Sequence, residues 1–345
     1  MAAIVATPVP LEQIGKLKGP QFGSKGVACL ATDGVKIYAG CRDHAIRVYD
    51  ARTHKLLYAL GAPAGPLDVA REGHVGCVTC LKLCGRRLFS GGGDRTLRAW
   101  DVKDRGPLRK VGEHGAIVTA LAVAGATLCS ADADGFVGLW DLETLEAAGE
   151  LEAKPSIYAL AVVGPVLFAA RGDGEAVVAW DVSTKARADA PPYAAESLLA
   201  VGKKLYLGRD DGSISVWDAS RATPLPAAAL EHGHDGCVTA LASMAGAVVV
   251  SGGEDGAVVC WDAAARTRRW ATRPREGAVN GADAIVADDS GCLFSASPMA
   301  PHVQVWSGRN RPDPEPEEPE PEDSLFAELE VNRRKEDLSR RRGVS

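Results

Sequence analysis

Short apolar runs separated by Gly/Asp turns recur along this chain at a nearly constant interval. "IYAGCRDHAIRVYD" ends at Asp50, "LFSGGGDRTLRAWD" at Asp101, "LCSADADGFVGLWD" at Asp141 and "LFAARGDGEAVVAWD" at Asp181. "LYLGRDDGSISVWD" ends at Asp218, "VVSGGEDGAVVCWD" at Asp262 and "LFSASPMAPHVQVWS" at Ser307. These are seven copies, spaced by 51, 40, 40, 37, 44 and 45 residues. A self-similar period of this size marks a repeat architecture. Within each copy, an apolar run with small residues ("CVTCLKL", "IVTALAV", "CVTALAS") precedes a short turn. A second run follows, ending in a small or hydroxyl residue. Then come a Gly/Asp turn, an alternating run into Trp-Asp, and a more polar stretch. Runs of this length bounded by Gly and Asp predict strands. Four strands per copy make one propeller blade.

The predicted fold is therefore all-β, a seven-bladed β-propeller over residues 1–310. The seventh copy stops after its third strand, because "RNRPDPEPEE" cannot form a strand. The segment before Gly23 has no blade of its own. Residues within 4–18 are thus expected to supply the outer strand of the last blade, closing the ring and removing its open edges.

With these seven copies in view, the chain resembles the WD-repeat β-propeller family over about residues 1–310. The resemblance implies a His–Ser/Thr–Asp–Trp hydrogen-bond tetrad in each blade. Three copies carry all four members: His74, Ser90, Asp94 and Trp100; His114, Ser130, Asp134 and Trp140; His234, Ser251, Asp255 and Trp261. A buried indole N–H and a buried hydroxyl need partners, which a turn aspartate and an imidazole supply. The first copy departs from the pattern with Ala39 and Tyr49, the fourth and seventh carry an extra turn residue, and the seventh lacks the turn aspartate. The resemblance also implies that the loops bearing the tetrad His and Asp gather on one face around the central channel, where partners dock. The residue before each turn aspartate is expected to be exposed there: Arg42, Gly93, Ala133, Asp210 and Glu254, with Arg171 or Gly172 in the irregular fourth blade. That set is mixed in charge and holds no aromatic.

Several stretches imitate chemical sites. Cys77, Cys80 and Cys84 fall within eight residues. Yet Cys77 aligns with Ile117 and Cys237, and Cys80 with Ala120 and Ala240, so they stand at packing positions. On a regular strand, residues 77 and 80 would point to opposite faces, roughly 10 Å apart. Asp132, Asp134 and Gly135 imitate a calcium loop without its flanking helices. "SGGGDR" lacks the Gly-Lys-Ser/Thr of a phosphate loop. Tetrad His, Ser and Asp imitate a hydrolase triad, but three sets in one ring point to structure. No catalytic constellation, cofactor or metal site is predicted. The net charge of −6 argues against nucleic acid as the main partner. No apolar run reaches the roughly 18 residues of a membrane span. Nine scattered cysteines fit reduced thiols. With no leader pattern at the N-terminus, the expected location is the cytoplasm, with the nucleus as an alternative.

One edge carries a different resemblance. Tyr49, Asp50 and Arg52 look like the box by which some propellers dock on the adaptor of a cullin–RING ubiquitin ligase; Lys103, after Trp100 and Asp101, is a weaker version. Beyond the propeller, residues 311–323 form an acidic, proline-rich stretch expected to be an extended, disordered linker. Residues 324–345 are predicted to hold a short charged helix with an apolar patch of Leu325, Phe326 and Leu329 for docking. The expected function is a non-enzymatic scaffold, monomeric on its own, binding a protein or peptide on the channel face. The alternative is a ligase substrate receptor docking through the Tyr49–Arg52 edge.

Overall fold

The computed structural model describes residues 12–17, 26–61, 73–220, 223–230, 233–244, 248–272, 284–287, 292–297 and 303–307. The linker and the predicted helix, with Leu325, Phe326 and Leu329, lie outside the described residues. Every regular element among the described residues is a strand, and the strands form seven antiparallel four-stranded sheets. Blade 2 is typical: Val78–Cys84, Arg87–Gly92, Thr96–Asp101 and Gly106–Glu113 pair in sequence order. Blades 1, 3, 4, 5 and 6 span residues 27–60, 118–152, 157–188, 197–230 and 238–271. The first strand of each blade packs against the first strands of both neighbours, and that of blade 7 meets that of blade 1. The ring is closed, with first strands innermost.

Blade 7 is built from both ends of the propeller. Ala284–Ala287, Cys292–Ala296 and Val303–Ser307 supply three strands, and Glu12–Leu17 pairs antiparallel with Val303–Ser307 as the fourth. The outer strand expected from residues 4–18 is thus in place. Leu17 is fully buried in an apolar cluster with Val27, Ile37, Phe294 and Val303, so the segment also helps to pack blade 7 against blade 1.

A single blade cannot cover its two apolar faces, and the core is accordingly divided into seven clusters, one at each blade–blade boundary. Small inner-strand residues let adjacent sheets approach. A Cβ at Gly91 would lie 2.4 Å from the Val118 side chain of the next blade and 2.6 Å from the Cys80 sulfur. Glycine is required there by contact with the neighbouring sheet.

Removing residues 1–18 takes away a whole strand together with Leu17, whose burial alone is worth about 1.5–3 kcal/mol. The truncated chain is expected to melt at least about 5 °C lower in a calorimetric scan. An unchanged transition would show that the pairing does not close the ring.

Candidate functional site

In an up-and-down blade, the turns between second and third strands and the loops leading to the next blade lie at one end. The turns between first and second and between third and fourth strands lie at the other. The first end carries the tetrads. In blade 2 the Trp100 indole N–H donates to Ser90 Oγ at 2.8 Å, Ser90 Oγ lies 2.7 Å from His74 Nε2, and His74 Nδ1 lies 3.0 Å from Asp94 Oδ1. Using each hydrogen once sets the direction: Trp100 to Ser90, Ser90 to His74, His74 to the carboxylate. Blade 6 repeats this with Trp261, Ser251, His234 and Asp255. Burial of Asp94 works against its ionisation. The His74 hydrogen bond, the Val75 N–H and the Thr96 hydroxyl outweigh it and hold the carboxyl well below the usual range. Ser90, Ser130 and Ser251 have no solvent exposure, so none is available as a nucleophile.

Blade 3 corrects the sequence reading. Its acid is Asp132, not Asp134. Asp132 Oδ2 lies 3.1 Å from His114 Nδ1, while Oδ1 accepts the N–H groups of Asp134 and Phe136. Asp134 is exposed. The cause is steric. In blades 2 and 6 the strand-end position is Gly92 or Gly253, where a Cβ would sit 2.5 Å from the tetrad histidine. The acid therefore comes from two residues later. Blade 3 has a side chain at that position, and its own carboxylate fills the space. The calcium-loop likeness ends here too, because both Asp132 oxygens are occupied.

The remaining blades vary the scheme. In blade 7, Trp306 keeps its bond to Ser295 Oγ at 2.9 Å. In blade 5 the serine position is Leu207, and the buried Trp217 N–H has no partner among the described residues. Blades 1, 4 and 5 pair their turn aspartates with arginines of the same blade: Asp43 with Arg47, Asp173 with Arg171 and Asp211 with Arg209.

The strand register places the channel-face positions. The N–H groups of Arg42, Gly93, Ala133, Gly172 and Glu254 donate to the carbonyls of Gly26, Cys77, Ile117, Ser156 and Cys237, at the starts of the inner strands. Asp210 stands at the same point of blade 5. In blade 4 this position belongs to Gly172. Arg171 sits one residue earlier, level with Gly92 and Asp132, and is engaged by Asp173. Arg42, Ala133, Asp210 and Glu254 are exposed, and Gly93 and Gly172 partly so. The sequence reading missed Tyr158, which is 47% exposed beside this ring. Its ring lies against Gly172, where an added Cβ would come within 2.7 Å of the Tyr158 ring carbon Cζ. The signal was present: Tyr158 replaces the threonine that "CVTCLKL", "IVTALAV" and "CVTALAS" share.

The family model "WD domain, G-beta repeat" matches residues 67–101 and 228–262. The chain carries WD40 repeats. It is 26% identical over 181 residues to the small ribosomal subunit protein RACK1y of Oryza sativa subsp. japonica, covering 47% of this chain and 53% of that protein. It is 29% identical over 171 residues to the human kinesin-like protein KIF21A, covering 47% of this chain and 10% of that protein. The match thus spans about half of one relative and a small part of the other. The solved structure of U3-55K superposes with a TM-score of 0.70 at 18% identity, covering 86% of this chain and 98% of that one, a likeness of fold.

On the opposite face of the WD40 propeller, the proposed adaptor edge divides into architecture and surface. Tyr49 is fully buried. Asp50 Oδ1 accepts the N–H groups of Arg52 and Thr53 and the Thr53 hydroxyl. Asp101, Asp141, Asp181 and Asp262 bind two turn N–H groups in the same way. Only Arg52 and Lys103 present exposed side chains. Among the cysteines, a β-bulge between Val78 and Cys80 breaks the simple alternation assumed for Cys77 and Cys80. Cys80 is instead packing by contact: it is buried, its thiol lies 3.9 Å from the Val118 carbonyl, and desolvation pushes its pKa up to about 12.

The two candidate acids of blade 3 separate by mutation. Asp132→Ala leaves His114 and two turn N–H groups without their acceptor and should cost about 1–3 kcal/mol in urea unfolding. Asp134→Ala should stay within about 0.5 kcal/mol. The reverse order would restore Asp134 to the tetrad.

Proposed function

We propose that this WD40 propeller is a non-enzymatic interaction scaffold that holds a protein or peptide partner on its channel face. One observation carries the reading. Blade interiors keep a common grammar, whereas the residues around the channel mouth differ from blade to blade and include an exposed aromatic, Tyr158. Divergence confined to an exposed rim on a packed ring suits recognition, since loops on a rigid scaffold carry function. The tetrad serines, the nearest imitation of a nucleophile, are sealed in the blades. Fold alone does not choose the partner.

The second reading, a substrate receptor on a cullin–RING ligase, is supported by the exposed Arg52 on the opposite face. In that reading the channel face holds the substrate and Arg52 meets the adaptor.

A photo-crosslinking residue placed at Ala133 or at Arg52 of the full chain, in cells, distinguishes them. The scaffold reading expects a defined adduct from Ala133, with no ligase adaptor among the Arg52 products when both are identified by mass spectrometry. An adaptor adduct from the residue-52 crosslinker, together with co-purification of that adaptor by the wild-type chain that is lost on Arg52→Ala, would favour the receptor. Absence of any adduct at Ala133 would overturn the channel-face assignment.

A further inference from the structure

One position beside the start of the inner strand stands at the channel mouth in blades 2 to 6, and its identity follows a rule in three of them. In blades 2, 3 and 6 it is Thr79, Thr119 and Thr239, whose hydroxyls donate to the carbonyls of Gly91, Ala131 and Gly252 at 3.0, 3.3 and 3.3 Å. Each of these hydroxyls thus has a carbonyl partner in its own blade, and that of Thr79 also meets the Val118 carbonyl of blade 3. Blades 4 and 5 break the rule side by side. Blade 4 has Tyr158, half-exposed, with its ring laid on Gly172. Blade 5 has Glu196, level with Tyr158 when the two first-to-second-strand turns are superimposed. The inner strands of these blades pack against each other.

The surroundings commit the kind of occupant. Glu196 precedes the inner strand of blade 5, and Asp210 and Glu254 hold the rim positions of blades 5 and 6, so three carboxylates share one stretch of rim; burial first, and then the charges of Asp210 and Glu254, raise the pKa of Glu196. No ion pair joins any of them to a cation among the described residues. The arginines at the ends of the second strands of blades 4 and 5 are engaged elsewhere: Arg171 pairs with Asp173, and Arg209 lies 3.7 Å from Asp211 and 5.7 Å from the Tyr193 ring centroid. In the adjoining blade 3, Ile117 at the start of the inner strand is 44% exposed. An exposed aromatic ring, an apolar neighbour and uncompensated negative charge together complement a long cationic side chain. The aliphatic stem covers the ring and the charge faces the carboxylates.

We infer that the mouth over blades 4 to 6 recognises a Lys or Arg side chain of a partner peptide, with Tyr158 as its platform and Glu196, Asp210 and Glu254 as its counter-charge. This deepens the channel-face reading and rests on it.

The test is selection of a phage-displayed random peptide library against the full chain, followed by affinity measurement of the selected peptides on wild type, Tyr158→Thr and Glu196→Thr. Threonine is the residue other blades carry at this position, and an unchanged melting curve confirms that the variants fold. The expected result is enrichment of peptides containing Lys or Arg, with affinity falling about tenfold or more on either variant. Replacing the selected Lys or Arg by Gln should cause a similar loss. Three results would overturn the inference: no enrichment, enrichment without Lys or Arg, or equal affinity for wild type and both variants. Selected peptides that block the Ala133 crosslink yet lack basic residues would leave the channel-face reading standing and remove only this one. Peptides indifferent to both the crosslink and the variants would remove both.

Discussion

Each blade is a twisted sheet with two apolar faces and can cover neither by itself. Everything else in the structure follows from that constraint. Packing blade on blade buries the faces in seven separate boundary clusters, and only a closed ring leaves none of them open. Closure draws Glu12–Leu17 onto Val303–Ser307 and makes the two ends of the propeller one blade. The tetrads are secondary to this packing. They satisfy the polar groups that deep burial of Trp100 and Trp261, and partial burial of Trp140, would otherwise strand. Blade 5 shows the ranking, because Trp217 remains buried although its N–H has no partner among the described residues.

A closed ring also repeats every position at a fixed place. Where several blades agree, the shared residue has a structural cause: threonine at the mouth binds a carbonyl of its own blade, and the Trp-Asp aspartates bind the turn that follows. Where one blade departs without a packing reason, the departure points outward. Tyr158 and Glu196 stand out on that comparison, while Arg171 does not, because Asp173 accounts for it.

Much of this was legible in the sequence, since the period, the strand grammar and the Gly/Asp turns are all local signals. The unpaired third strand of the last copy even indicated how the ring closes. The finer assignments failed where one residue of register decides them. Asp132 and Asp134 are both turn acids of the right type, and only the space left by Gly92 and Gly253 in the other blades tells them apart. The choice between Arg171 and Gly172, open in the sequence, turns on the same single residue, and the bulge at Val78–Cys80 is not visible in a pattern of apolar residues. Tyr158 was hidden differently. It reads as an ordinary strand aromatic until the paired strands show that its position faces the channel mouth.

The reading proposed for this ring makes the channel mouth at blades 4 to 6 the surface that meets a partner. Hydrogen–deuterium exchange of the full chain, alone and with the partner recovered by crosslinking, addresses it most directly. Added protection is expected in residues 156–160, 194–198 and 208–212, with the turn at residues 50–55 unchanged. Protection confined to residues 50–55 and 101–106, on the opposite face, would contradict it.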